Sequence, residues 1–242
     1  MNVEVDFQSV SSGYDRIKIL NNLSFEVFEG EVFGVIGPNG CGKTTMLNTM
    51  VGLVHRSRGK IIFDGHDISE LPPFERCKRG IGRTFQVPRP FDKMTCLENV
   101  LVATTHGAGL TRKAGEELSL EILDRVGLIE KAKLPAGRLT LLDRKRLEIA
   151  RALGTKPKLL LLDEVAAGLT EVEVQQVMEL VAALKKEKLT IIWIEHILDT
   201  MMYATDRLMC MSEGRNVILG NPAEVIQSDI VQELYLGTDD TK

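Results

Sequence analysis

Apolar positions change their period along this chain. Over VEVDFQSV (3–10) and ILNNLSFEVFEGEVFGVIG (19–37) they alternate with polar residues or run together, rich in β-branched and aromatic types, with a turn at Glu29-Gly30. This predicts several early strands. After Gly42 the spacing is helical through about Val51, KIIFDG (60–65) returns to a strand ended by Gly65, and residues 72–80 read as a helix after paired prolines. From about Thr95 to Glu130 the spacing is helical, interrupted near HGAGL (106–110), with no strand-like alternation. Thereafter helices (143–153, 171–187, 197–205) and strands (158–163, 189–194, 207–211) alternate, and the tail adds a strand and short helices. Strands alternating with helices imply an α/β fold whose core sheet is mostly parallel, here with an antiparallel N-terminal β region and a helical subdomain.

Composition narrows the class. A chain of 242 residues can bury a sizeable core, and 44% hydrophobic with 26% charged residues is ordinary globular usage. A formal charge of -4 leaves no basic footprint, so no nucleic-acid partner is expected. Apolar runs such as LLLL (159–162) are too short to span a bilayer, and MNVEVDFQSV lacks the design of a signal peptide, so a cytoplasmic location is expected. Cys41, Cys77, Cys96 and Cys210 follow no metal-ligand spacing, and reduced thiols are expected.

GVIGPNGCGKTT (34–45) follows a predicted strand, opens a helix and fits G-x-x-x-x-G-K-[ST]. The segment Gly37, Pro38, Asn39, Gly40, Cys41, Gly42, Lys43, Thr44 and Thr45 is therefore read as a phosphate-binding loop. Its glycines let backbone N–H groups point at phosphate oxygens, Lys43 reaches the β- and γ-phosphates, and Thr44 supplies an oxygen to Mg²⁺. KLLLLDE (158–164) is an apolar strand ending in two acids, and the carboxyl ends of parallel strands are where ligands sit. Asp163 is placed at Mg²⁺ and Glu164 beside the γ-phosphate, able to polarise a water; a plain strand-end salt bridge is the alternative. IIWIEHIL (191–198) puts Glu195-His196 at another strand end, where His196 either contacts the γ-phosphate or is simply a hydrogen-bonded histidine. Gln86, in RTFQ, is read as ending a further apolar strand, within reach of Mg²⁺ or the attacking water.

Together these residues resemble the ATP-binding cassette (ABC) family, the nucleotide-binding subunits of ABC transporters, over nearly the whole chain. The resemblance implies an ABC-type P-loop NTPase in one domain, with a core at 1–86 and 155–242 and a helical subdomain at about 87–154. In family order come an adenine-stacking aromatic (Tyr14), Walker A (37–45), the Q-loop (Gln86), a signature at a helix start, Walker B (Asp163, Glu164) and a switch histidine (His196). RTFQVPRPFDKMT, RLEIARAL, DEVAAGL, IEHILDTM and the ending YLG look like the ATPases of branched-chain amino acid importers. Lipopolysaccharide-export ATPases share the IARAL stretch and the YLG tail and are the nearest competitor; RTFQ and AAGL favour the importer.

The signature departs from the family pattern. Where L-S-G-G-Q is typical, contacting the ATP of a partner cassette, this chain has Leu139, Thr140, Leu141, Leu142 and Asp143. Read locally, Thr140 is a helix N-cap with Asp143 as acidic partner, Leu147, Ala150 and Leu153 are core, and Arg144, Lys145 and Arg146 form a solvated face. As a signature, Thr140 keeps the hydroxyl, the two leucines crowd the approach of phosphate, and Asp143 sets a negative charge near an anion. A weakened site follows. Smaller departures are Val165 for the proline after Walker B, Thr170-Glu171 after AAGL, and Ile197 after the histidine. Cys41, beside Lys43 at a helix start, has two readings: a thiol of lowered pKa that makes ATP binding sensitive to oxidation, or a tolerated small residue.

The resemblance implies an ATPase with ATP and Mg²⁺ as ligands, working with permease subunits, with a second cassette and, indirectly, with an extracytoplasmic solute-binding protein. It would sit on the inner face of the cell membrane through the permease, which docks near residues 86–105. Altered signatures on both sides of a homodimer would weaken both ATP sites, which favours a heterodimer. A nucleotide-gated regulatory subunit with little turnover is opposed by Glu164 and His196. A soluble repair or translation protein would carry two cassettes or a large insertion, and a P-loop kinase has no use for the Q-loop, signature and histidine.

Overall fold

The computed structural model describes residues 2–15 and 17–236. Two compact units emerge, one from Met1–Arg76 with Lys188–Lys242 and the other from Cys77–Glu187. The first opens with β1 (Val3–Tyr14), β2 (Ile17–Phe28), β3 (Val32–Ile36), α1 (Lys43–Met50), β4 (Arg56–Phe63) and β5 (His66–Asp67), and α2 (Pro73–Lys78) carries the chain across the boundary. The second unit holds β6 (Ile81–Arg83), α3 (Cys96–Val102), a π-helical turn (Ala103–Gly107), α4 (Arg112–Arg125), α5 (Leu141–Gly154), β7 (Leu159–Asp163) and α6 (Glu171–Lys186). The chain then completes the first unit with β8 (Thr190–Ile194), α7 (Leu198–Ala204), β9 (Arg207–Ser212), β10 (Arg215–Gly220), α8 (Pro222–Gln227) and α9 (Asp229–Leu236).

In the first unit, alternating β1 and β2 form an antiparallel hairpin, extended by β4 and β5 in the order β2-β1-β4-β5. Every residue of β3 and of β8 is buried, as expected for parallel strands covered on both faces. They pair in parallel with Val32 opposite Ile191 and Val35 opposite Ile194; β9 flanks β3 on its other side, also parallel, and β10 closes that edge antiparallel. Phe7 and Phe25 stack at 4.6 Å between ring centroids and Phe25 on Phe33 at 5.5 Å, which joins the hairpin to the parallel strands. Each ring so buried contributes about 1.5–3 kcal/mol. Gly34 lets neighbours pack close: a Cβ there would lie 2.6 Å from Leu208 Cδ1, 2.8 Å from Thr205 Cγ2 and 2.9 Å from Met201 Cε, and these side chains would have to shift. At the end of α1, the buried Arg76 guanidinium donates to the carbonyls of Thr49, Met50, Ser69 and Leu71, satisfying groups that the helix leaves open. Burial lowers its pKa to about 10, so it stays charged at neutral pH.

In the second unit β6 and β7 pair in parallel, Ile81 opposite Leu159 and Arg83 opposite Leu161. The helices bury Val100, Ile122, Leu123, Leu147, Ile149 and Leu153. Thr95 with Glu98 and Thr170 with Glu173 form full capping boxes at α3 and α6, and Thr111 caps α4. The interruption expected near HGAGL is the π-turn, where Thr104 Oγ1 donates to Leu101 and Gly115 carbonyls. One boundary differs from expectation: β6 stops at Arg83, so Gln86 lies in the loop beyond it. The reason is Thr84, whose hydroxyl takes the Asp163 N–H at 3.2 Å and diverts the ladder. No helix among the described residues is long and apolar enough to cross a membrane. Gly237 of the YLG ending lies outside the described residues.

Candidate functional site

The glycine-rich loop leaves the carboxyl end of β3 and turns into α1 at Gly42, whose φ of 107° makes it a left-handed N-cap with no side-chain hydrogen bond. The first N–H groups of α1 therefore have no side-chain cap, the arrangement that receives an anion. Lys43 is 5% exposed, and its Nζ donates to Gly37 O at 2.6 Å and Pro38 O at 3.1 Å, curling the ammonium into the loop. Thr44 and Gly40 face solvent, and Thr45 is buried. Gly37 has no substitute: φ is 145° and a Cβ would stand 2.2 Å from Met211 O. Its N–H donates to Tyr235 Oη in α9 at 3.0 Å, and burial pushes that phenol up to about 12. Uncapped amides, a bent-in ammonium and an exposed hydroxyl fit a polyphosphate.

The same unit carries two further expected residues. Because β8 lies parallel beside β3, His196, just past β8, sits at the same carboxyl edge as the loop. Its neighbour Glu195 is buried and accepts from Trp193 Nε1 at 3.2 Å, leaving the half-buried histidine as the member of the pair nearer the surface. Tyr14 ends β1 with its ring exposed and its hydroxyl accepting from Asn48 Nδ2 at 2.8 Å, a face open to stacking.

The second unit gathers Gln86, Asp163 and Glu164. Asp163 ends β7 fully buried, with Oδ2 accepting from Arg83 Nη2 at 2.9 Å, so the acid meets a guanidinium inside the fold. Glu164 follows with φ of 49°, a left-handed conformation that costs a non-glycine residue about 1–3 kcal/mol. Its Oε2 accepts from Gln86 Nε2, and its carbonyl accepts from Lys145 Nζ at 2.8 Å.

Thr140 is the N-cap of α5, accepting from Asp143 N–H at 3.3 Å. Three expectations about this helix start are corrected. Asp143 is buried and paired with Lys131 Nζ at 2.5 Å, so its charge is compensated and does not confront an incoming anion. Leu142 belongs to the core, and only Leu141, 46% exposed, remains to crowd a ligand. The basic run is no solvated face: Lys145 is 3% exposed, Arg144 donates to the Gly137 carbonyl, and Arg146 donates to Gln176 Oε1. Of the smaller departures, Val165 is buried, Thr170 caps α6, and Ile197 is exposed.

Of the two readings of Cys41, burial favours the tolerated small residue. Burial raises its thiol pKa above the usual value, and the opposing pull of Lys43 is the smaller effect. Less thiolate is then present at any pH, so we expect iodoacetamide at pH 8 to label Cys41 far more slowly than a free thiol, with or without ATP. Mass-spectrometric labelling rates check this; fast labelling blocked by ATP would restore the reactive reading.

Sequence reasoning missed Arg83, Lys145 and Tyr235. The signal for Lys145 was present, since 142, 145, 149 and 152 share one helix face and all are buried. Nothing local marks Arg83 or Tyr235, whose partners are remote in sequence.

Comparison with known proteins gives the family. Residues 20–167 match the family model described as ABC transporter. The chain is 36% identical to a probable branched-chain amino acid transport ATP-binding protein LivG of Archaeoglobus fulgidus, over 97% of this chain and 96% of that protein. It is 31% identical to the lipopolysaccharide export system ATP-binding protein LptB of Haemophilus influenzae, over 95% of both. A crystal structure of the ADP conformation of an ATP-binding cassette of an ABC transporter superposes with a TM-score of 0.90 at 30% identity, covering 98% of this chain and 100% of that one. With its phosphate loop, its strand-end acids and these matches in hand, the chain belongs to the ABC transporter family as an ATP-binding cassette.

Proposed function

We propose that this cassette hydrolyses ATP to drive uptake of branched-chain amino acids or related polar solutes through a membrane permease. The observation that carries the reading is Lys43 curled into a glycine loop at the uncapped start of α1. Tyr14 stacks on adenine, loop amides and Lys43 hold the β- and γ-phosphates, and His196 contacts the γ-phosphate. Thr44, Asp163 and Gln86 offer hard oxygen donors suited to Mg²⁺, which when bound neutralises phosphate charge. Glu164 polarises the attacking water, with Gln86 steadying its carboxylate.

The permease docks on the second unit near residues 86–105, where Met94, Leu101 and Val102 line a groove together with Glu98, His106 and Arg112. The cassette then lies on the inner face of the membrane without entering it, and an extracytoplasmic solute-binding protein acts only through the permease. Resemblance to the LivG protein and the RTFQ and AAGL stretches support import over lipopolysaccharide export.

Two cassettes close around two ATP molecules, and the side completed by this chain's Thr140 and Leu141 is weakened. With Asp143 compensated, Leu141 is the residue responsible, and the favoured partner is a second cassette with an intact signature. The test is steady-state ATPase of the chain alone, of Leu141→Gly alone, and of each mixed with the candidate partner. We expect little turnover alone, more with the partner, and a gain of about tenfold alone in Leu141→Gly, the effect of one well-placed donor group or less. Full activity alone, unchanged by the glycine, overturns the weakened-signature reading. Leu142 is left in place, because truncating that buried side chain costs about 2–5 kcal/mol.

A further inference from the structure

Lys145 lies on the apolar face of α5, 3% exposed, where a charged side chain persists only if polar groups meet it. Its Nζ donates to the backbone carbonyl of Glu164 at 2.8 Å and approaches that of Gln86 at 3.4 Å. The Gln86 side chain in turn donates to Glu164 Oε2. One ammonium thus holds the main chain at two residues whose side chains already touch, and one of them keeps a left-handed φ of 49°. A carbonyl fixed by a charged donor fixes the peptide plane, and with it the direction in which the Glu164 side chain departs.

We propose that Lys145 is a positioning residue for hydrolysis: it holds Glu164 and Gln86 in the geometry in which the Glu164 carboxylate meets the attacking water. The inference rests on the proposed role of Glu164. It also joins the signature helix to the acid in the same unit, because Lys145 stands little more than one turn from Thr140, the N-cap of α5. Displacing the Thr140–Leu141 end of α5 moves Lys145, and with it the carboxylate.

The experiment compares Lys145→Met, Lys145→Gln and Lys145→Arg with wild type in the active assembly, reading kcat, affinity for a fluorescent ATP analogue and the thermal midpoint, with Glu164→Gln in parallel. Lys145→Met is expected to lower kcat about tenfold to a hundredfold, the scale of a misplaced catalytic group, at unchanged nucleotide affinity. Lys145→Arg, which keeps a charged donor, recovers most of kcat. Added to Glu164→Gln, Lys145→Met causes no further loss of kcat, because the group that it positions is already gone. Should the methionine variant fail to fold, Lys145→Gln decides with its shorter, neutral amide: reduced kcat at constant affinity supports positioning. Wild-type kcat in Lys145→Met or Lys145→Gln overturns the inference, as does a loss of kcat that adds in full to that of Glu164→Gln. An active Glu164→Gln instead sinks the catalytic reading of Glu164 itself.

Discussion

Glu164→Gln is expected to lower kcat at least about 10²-fold while leaving ATP binding intact, the loss typical of a removed general base. The substitution is close to isosteric, so the fold has little reason to change. The left-handed backbone at 164 is equally strained for either residue, the Lys145 bond falls on the main chain, and Gln86 Nε2 can donate to an amide oxygen as it does to a carboxylate. What disappears is the negative charge able to take a proton from water. Steady-state turnover and equilibrium binding of a fluorescent nucleotide, measured on the same preparation, separate the two effects. Loss of both together would mean that Glu164 holds nucleotide or structure, and its assignment as base would fall.

The second large effect belongs to Arg83. Arg83→Met removes the cation that faces a fully buried Asp163 and replaces it with an apolar side chain of similar reach. Breaking a buried pair by removing one member costs about 3–5 kcal/mol, because the remaining charge is stranded. We expect a loss of about 3 kcal/mol in urea unfolding, since the side chain is close to, though not wholly, buried. Arg83→Met combined with Asp163→Asn should be less destabilised than Arg83→Met alone, since the double variant removes both charges of the pair. An unfolding midpoint unchanged in the single variant would show that other contacts at Asp163 suffice.

These two residues also mark where the sequence was readable and where it was not. The unbroken apolar runs of β3, β7 and β8, each ending in a loop or a polar pair, announced buried parallel strands, and the glycine-lysine spacing pointed to the phosphate loop from four residues alone. Period and turn chemistry are local, so they survive in a one-dimensional reading. The end of β6 did not, because a threonine hydroxyl two residues before Gln86 diverts its pairing from across the sheet. At α5 the residue types were right and their environments wrong: Asp143 and Lys145 look like surface charges by composition, yet each is buried against a partner. A charge on a core face is legible only to a reader who trusts the helical period over the chemistry of the side chain.

The division of the chain has a consequence for its biosynthesis. β3 leads directly into the phosphate loop, and its neighbours in the sheet, β8 and β9, both follow Lys188. The N–H of Gly37 likewise waits for Tyr235. Chains are made from the N-terminus, and pairing between distant segments is the slow part of folding. A nascent chain ending before Thr190 therefore carries Lys43 beside a strand with neither sheet partner, although every residue of Cys77–Glu187 has by then been synthesised. The loop that grips phosphate is among the first pieces synthesised and among the last to be set.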